Sequence, residues 1–168
     1  MVVRKKPASK RIRKLLDYNP DTGVLTWKRS PNPSIKAGSV AGATHINGYV
    51  YIGVDRKSYR AHRMAFVCMT GKWPKCQVDH RDRHKDNNRW DNLRESNNTQ
   101  NQGNAGIRKN NTSGHPGVSW QSDCDRWRVK AAGRYIGLFK NKKKAIEAHK
   151  KAHKKAYGEF SNIEGGIW

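Results

Sequence analysis

The chain has 168 residues, with 35 Lys or Arg against 13 Asp or Glu and a formal net charge of +22 at pH 7. That length holds one ordinary domain or two small ones, and a field of that sign favours phosphate polymers, anionic surfaces or acidic partners. Composition argues against a membrane span, since no apolar run approaches the roughly 18 residues needed to cross a bilayer.

The basic start, MVVRKKPASKRIRK, lacks the apolar segment of a secretory signal. Cys68, Cys76 and Cys124 are odd in number and have no paired spacing, which suits a reducing compartment. A soluble, cytoplasmic protein is expected. IRKLLDYN predicts a short helix ending at Asn19-Pro20, followed by the turn PDTG and a strand, VLTW. Residues 31–48 are rich in Pro, Gly and Ser and read as loop. GYVYIGV alternates, with Val50, Ile52 and Val54 on one face and Tyr49 and Tyr51 on the other. Asp55 to Lys57 turns it into SYRAH, completing a hairpin. HRMAFVCMT has helical apolar spacing and stops at Gly71, with Pro74 beyond. His62 reads as a structural histidine and Cys68 as core.

The next stretch, VDHRDRHKDNNRWDNLRESNNTQN (Val78 to Asn101), gathers acids, histidines and amides in an otherwise basic chain. VDH reads as a strand end, DRHKDNNR as a loop, WDNLRES as a returning strand and NNTQNQ as the start of a helix. In that strand–loop–strand–helix unit His80 and Asn92 face one another, and the helix returns Asn101 over the strands. Asp79, His80, Asn92 and Asn101 then converge. Asp79 and His80 are adjacent and point to opposite faces of a regular strand, so they divide roles.

These residue types suit phosphodiester hydrolysis. Histidine has the pKa to deprotonate water near neutral pH. A hard divalent ion, held by a carboxylate and an amide carbonyl, matches the charge that builds on the phosphate and the leaving oxygen. A further amide can orient the imidazole. Cys76, His80 and His84, spaced by four, form a rival metal set, but that spacing fits a helix better than a strand and lacks a fourth ligand.

The stretch resembles the HNH nuclease motif of phage and intron-encoded homing endonucleases. AHRMAF (61–66), TGKWP (70–74) and YNPDTGVLTW (18–27) are similar to segments flanking that motif, so the likeness spans roughly residues 11–104. It implies an α+β fold of the ββα-metal (His-Me finger) kind. It also implies His80 as general base, Asn92 as the residue that orients it, and Asp79 and Asn101 as ligands of Mg²⁺ or Mn²⁺. The products would be a 5′-phosphate and a 3′-hydroxyl, and the setting a bacterial host cytoplasm for a phage-encoded protein.

Residues 102–114 are polar, glycine-bearing and basic, and mark a linker in which Arg108 and Lys109 track a nucleic-acid backbone. The pattern then restarts. GVSWQ, RWRVKAA and YIGLF read as three strands, followed by a helix from Lys142 to Tyr157 with Asn141 as N-cap and Gly158 past its end. The alternation of Arg126, Arg128 and Lys130 puts three cations on one strand face, and a sheet can enter the major groove. This segment resembles the plant ethylene-response-factor (APETALA-type) DNA-binding domain, over about residues 114–162. By that likeness Trp120, Arg126, Arg128, Lys130 and Arg134 would contact double-stranded DNA, with Trp127 shared between core and interface. Ser119 stands where plant members often carry Arg.

Three parts are expected: a nuclease domain at 1–104, a basic linker at 105–113, and a three-stranded antiparallel sheet plus one helix at 114–168. The expected activity is metal-dependent DNA cleavage, with no membrane association and no obligate protein partner. The alternatives are a DNA-binding regulator on an inactive nuclease fold and an RNA-binding accessory protein.

Overall fold

The computed structural model describes residues 6–104, 106–107 and 111–163. Arg108 and Lys109 lie outside the described residues. The chain divides into two compact units, Met1–Ser96 and Asn97–Trp168.

In the first unit, helix α1 (Ser9–Leu15) leads directly into strand β1 (Leu16–Tyr18), which pairs antiparallel with β2 (Leu25–Trp27). The helix predicted over IRKLLDYN is therefore cut short at Leu15. Leu16 and Tyr18 are buried and Asp17 is exposed, so the two-residue period of a half-buried strand overrides helical propensity there. A short strand inside the predicted loop, β3 (Ala43–Thr44), pairs with β4 (Val50–Val54), and β4 pairs with β5 (Lys57–Arg60). The β4–β5 turn places Asp55 and Arg56 at φ of 52° and 59°, the left-handed pair of a tight hairpin turn. Helix α2 (Ala61–Thr70) follows and ends on Gly71, whose φ of 72° forms its left-handed cap. Ile12, Leu16, Trp27, Ile52, Val54, Met64, Val67 and Leu93 close the core of this unit.

The last hairpin of the unit pairs β6 (Gln77–His80) with β7 (Leu93–Ser96). The register sets Asp79 opposite Arg94 and His80 opposite Leu93. Asn92 belongs to a single 3₁₀ turn, Trp90–Asn92, just before β7, and its carbonyl accepts from the N–H of Arg81 at 2.9 Å.

The second unit opens with helix α3 (Asn98–Gly103), started by a reciprocal capping box. Asn97 Oδ1 accepts from the Gln100 N–H, and Gln100 Oε1 accepts from the Asn97 N–H, both at 2.8 Å. Strands β8 (Val118–Gln121), β9 (Arg126–Ala131) and β10 (Arg134–Phe139) form an antiparallel sheet in the order β10-β9-β8. Helix α4 (Lys142–Tyr157) packs on one face, its N-terminus capped by Asn141 Oδ1 on the N–H groups of Lys143 and Lys144. Ala145 is fully buried against Val118 and Val129, a close approach that its single methyl permits. The register sorts the side chains of this sheet. Trp120 pairs with Trp127 and Val118 with Val129, so all four share the helix-covered face. Ser119 pairs with Arg128 and Gln121 with Arg126, and these four, with Lys130, share the open face.

Candidate nuclease site

The polar island is for the most part a loop that satisfies itself. The Asp82 carboxylate accepts from the His84 N–H at 2.9 Å, from Asn87 Nδ2 at 2.6 Å and from Asn92 Nδ2 at 2.8 Å. Its backbone N–H donates to Asn92 Oδ1 at 3.0 Å, and Asn92 Nδ2 also reaches the Asn87 carbonyl at 2.8 Å. Burial would raise the Asp82 carboxyl, but the bonds from Asn87, Asn92 and the His84 N–H outweigh it and hold the group below its ordinary value. Asp82 therefore stays charged and pins residues 82–92. Asn92 helps to shape the loop that follows His80.

His80 ends β6, and the chain turns at once, the Arg83 N–H closing on the His80 carbonyl at 3.0 Å. The imidazole is 4 % exposed. Its Nε2 meets Asn88 Oδ1 at 3.2 Å, while Asn88 Nδ2 donates to the Asp86 carbonyl at 3.0 Å. The second bond fixes the amide orientation, so Oδ1 faces the ring and Nε2 carries the proton. Nδ1 is left with the lone pair. Burial pulls the His80 pKa below 6.5, and the Asn88 bond with the charges of Asp82, Asp79 and Asp86 opposes that shift. The ring is neutral at pH 7 and able to accept a proton.

Asn88 is placed by the amino-terminal segment. The Tyr18 hydroxyl donates to the Asn88 carbonyl at 2.7 Å, and the Trp90 N–H donates to the Pro20 carbonyl at 2.9 Å. Gly23, at φ 75°, lies so close that a Cβ there would stand 2.5 Å from the Asn88 carbonyl carbon and the Arg89 nitrogen. The YNPDTG turn is thus the back wall of the site, a role its sequence alone does not reveal.

His62, on the first turn of α2, is 2 % exposed and stands edge-on to His80, with ring centroids 4.9 Å apart at 90°. Burial first, then the charges of His80, Arg60 and Arg63, lowers its pKa to about 3. Tyr49 adds a third ring, 5.5 Å from His62 and 6.0 Å from His80.

Asp79 leaves the opposite face of β6 and is largely buried with Arg94, whose Nε and Nη2 donate to Oδ2 at 3.1 and 3.0 Å. Asn101 lies on α3 in the second unit. A carboxylate and an amide carbonyl are hard oxygen donors of the kind Mg²⁺ takes, and in that chemical sense the residues fit such an ion. Among the described residues no group of three or more His, Cys, Asp or Glu is gathered for a metal. The set Cys76, His80 and His84 is not such a group either.

In the second unit, Arg126, Arg128 and Lys130 lie on the open face of the sheet, and Arg128 Nε is buried without a hydrogen-bond partner. Trp120 is 45 % exposed and packs edge-to-face on Trp127, centroids 5.1 Å apart, on the other face. Arg134, at the start of β10, is exposed and pairs with Ala131. The residues that sequence reasoning missed are Asn88 and Asp82. Both lie in the island, but among its many amides and acids nothing local singles them out.

Residues 59–102, from β5 into α3, match a family model described as HNH endonuclease. The chain is also similar to a solved structure titled DNA binding and cleavage by the HNH homing endonuclease I-HmuI, at 24 % identity and a TM-score of 0.38. That likeness covers 55 % of each chain, so this protein spans about half of that one. No curated protein is significantly similar to the chain. Among the described residues no helix is long and apolar enough to cross a membrane.

Proposed function

We propose that this chain is a metal-dependent DNA endonuclease of the phage or mobile-element homing type, in which His80 is the general base. The observation that carries this reading is the His80–Asn88 pair, because it directs the imidazole lone pair to Nδ1 in a ring that stays neutral at pH 7. Nδ1 takes a proton from water as the water attacks phosphorus. The leaving group is the 3′-oxygen, so the products are a 5′-phosphate and a 3′-hydroxyl. Asp82 and Asn92 hold the loop that carries Asn88 and act through it. Asp79 and Asn101 supply oxygen donors for a divalent ion, Mg²⁺ or Mn²⁺, whose chemistry when bound is charge neutralisation at the phosphate and at the departing oxygen.

The second unit would bring duplex DNA to that centre, as an ethylene-response-factor-like sheet. Arg126, Arg128 and Lys130 present three cations on one open face. A buried guanidinium nitrogen without an acceptor is costly unless a ligand supplies one, and a phosphate or base edge does so. Trp120 and Arg134 would contribute from the edges of the sheet, and Arg108 and Lys109 from the linker.

The test is cleavage of supercoiled plasmid with Mg²⁺ or Mn²⁺ by wild type and His80→Ala, with EDTA as control. Metal-dependent nicking or linearisation that His80→Ala abolishes, with DNA affinity retained, is the expected result. A folded His80→Ala variant that cuts like wild type would overturn the assignment.

A further inference from the structure

Next to His80 the structure holds a second group of residues with no part in the chemistry described above. Tyr49 is half-buried, and its ring neighbours both His62 and His80. Two cations lie over that ring, the Arg60 guanidinium at 4.3 Å and the Lys85 ammonium at 5.3 Å from its centroid. Their separation is no more than the sum of those distances, inside the screening length of about 10 Å at 0.1 M salt. They therefore repel one another. Each is also attracted to the face of the ring.

Neither cation is neutralised by a carboxylate among the described residues. Lys85 Nζ donates to the Asn47 carbonyl at 3.1 Å, and Arg60 Nε donates to the Tyr51 hydroxyl at 3.3 Å. Both partners are uncharged, so these bonds aim the cations without cancelling them. The aim comes from separate parts of the chain. Arg60 ends β5, Tyr49 and Tyr51 belong to the β4 side of the same hairpin, and Lys85 comes from the loop after His80.

We infer that Tyr49, Arg60 and Lys85 form a clamp for a backbone phosphate of DNA beside His80. Two cations converging on one ring, with donors left over on both, fit a single tetrahedral anion bearing charge on two oxygens. Because Tyr49 packs against His62 and His80, a phosphate held there fixes the strand's distance from the base. The inference rests on the nuclease reading, since it takes DNA as the ligand.

The experiment measures affinity for a short duplex across a salt series in EDTA, so that cleavage plays no part. Wild type is compared with Arg60→Gln, Lys85→Gln, Tyr49→Phe and Tyr49→Leu, each checked for folding by thermal melting. Each lost phosphate contact should reduce the slope of log K against log salt by about 1 and weaken binding equally for different sequences. Arg60→Gln and Lys85→Gln are expected to do so. Tyr49→Leu should reduce the slope although it removes no charge, and Tyr49→Phe should not. Unchanged slopes in folded variants of a chain that binds DNA would overturn the clamp and leave the nuclease reading intact. Failure of wild type to bind DNA at all would remove both.

Discussion

Asn88 Oδ1 lies 3.2 Å from His80 Nε2, and the same amide spends its Nδ2 on the Asp86 carbonyl at 3.0 Å. One side chain thereby decides which imidazole nitrogen carries the proton. Asn88→Ala should lower the cleavage rate about tenfold or more while leaving DNA affinity unchanged. The pH profile gives the sharper test. The Asn88 bond raises the His80 pKa against the lowering effect of burial, so its removal should move the acid limb of the rate to lower pH. Asn88→Asp, which adds a negative charge, should move it to higher pH. Identical limbs in all three proteins would rule out Asn88 as the orienting residue.

Asp79 and Arg94 form a nearly buried ion pair, their side chains 14 % and 7 % exposed. Arg94→Met leaves a carboxylate without that partner and should cost about 3 kcal/mol of stability. If Asp79 binds the divalent ion, Mg²⁺ should raise the melting temperature of Arg94→Met more than that of wild type. Equal responses would remove Asp79 from the ligand set.

Gly23 approaches the Asn88 backbone more closely than any side chain allows, and with positive φ. Gly23→Ala should destabilise the protein by about 1–3 kcal/mol. It should also reduce cleavage, because Asn88 has to shift. A variant that melts early yet cuts at the wild-type rate would show that the YNPDTG turn serves stability alone.

The second unit contains a histidine pair whose titration opposes folding. His115 Nε2 and His149 Nδ1 are 3.0 Å apart, one donating and one accepting, with the His153 ring tilted at 40° and 5.3 Å from His149. Burial lowers the His149 pKa to about 4, with repulsion from His115 and His153 adding to it. Burial likewise lowers His115, helped by Lys150, His153 and Lys142. Groups with depressed folded pKa values take up protons more readily when unfolded, so stability is full above 6.5 and falls as pH drops toward about 4. Melting temperatures between pH 8 and pH 4 should show that decline, and His149→Gln should flatten it.

The two faces of the β8–β9–β10 sheet should separate in mutagenesis. Arg128→Gln removes a cation from the open face and should weaken DNA binding and its salt dependence without lowering the melting temperature. Trp120→Ala removes a ring packed on Trp127 and should lower the melting temperature. A Trp120→Ala loss of affinity larger than that of Arg128→Gln would put the DNA on the opposite face.

Much of the architecture was legible because it is local. The hairpin over 49–60, helix α2 with its Gly71 cap, the three carboxy-terminal strands and α4 with its Asn141 cap follow from alternation, helical spacing and turn chemistry. So did His80 at the end of a strand. One misreading came where local preference and packing disagree: Leu16 to Tyr18 favours helix, but it forms a strand because Trp27 and Leu25 lie across from it.

What the sequence determined by itself was the inventory: a basic chain, two units' worth of elements, and a histidine among amides and acids. Which amide meets that histidine was decided by tertiary structure. Twelve amides and acids crowd Val78–Asn101, all of similar local propensity. Asn88 is singled out by Tyr18 and Pro20, some seventy residues earlier in the chain. Hydrogen bonds of 3 Å select partners by position in space, and no spacing rule along the chain encodes that position.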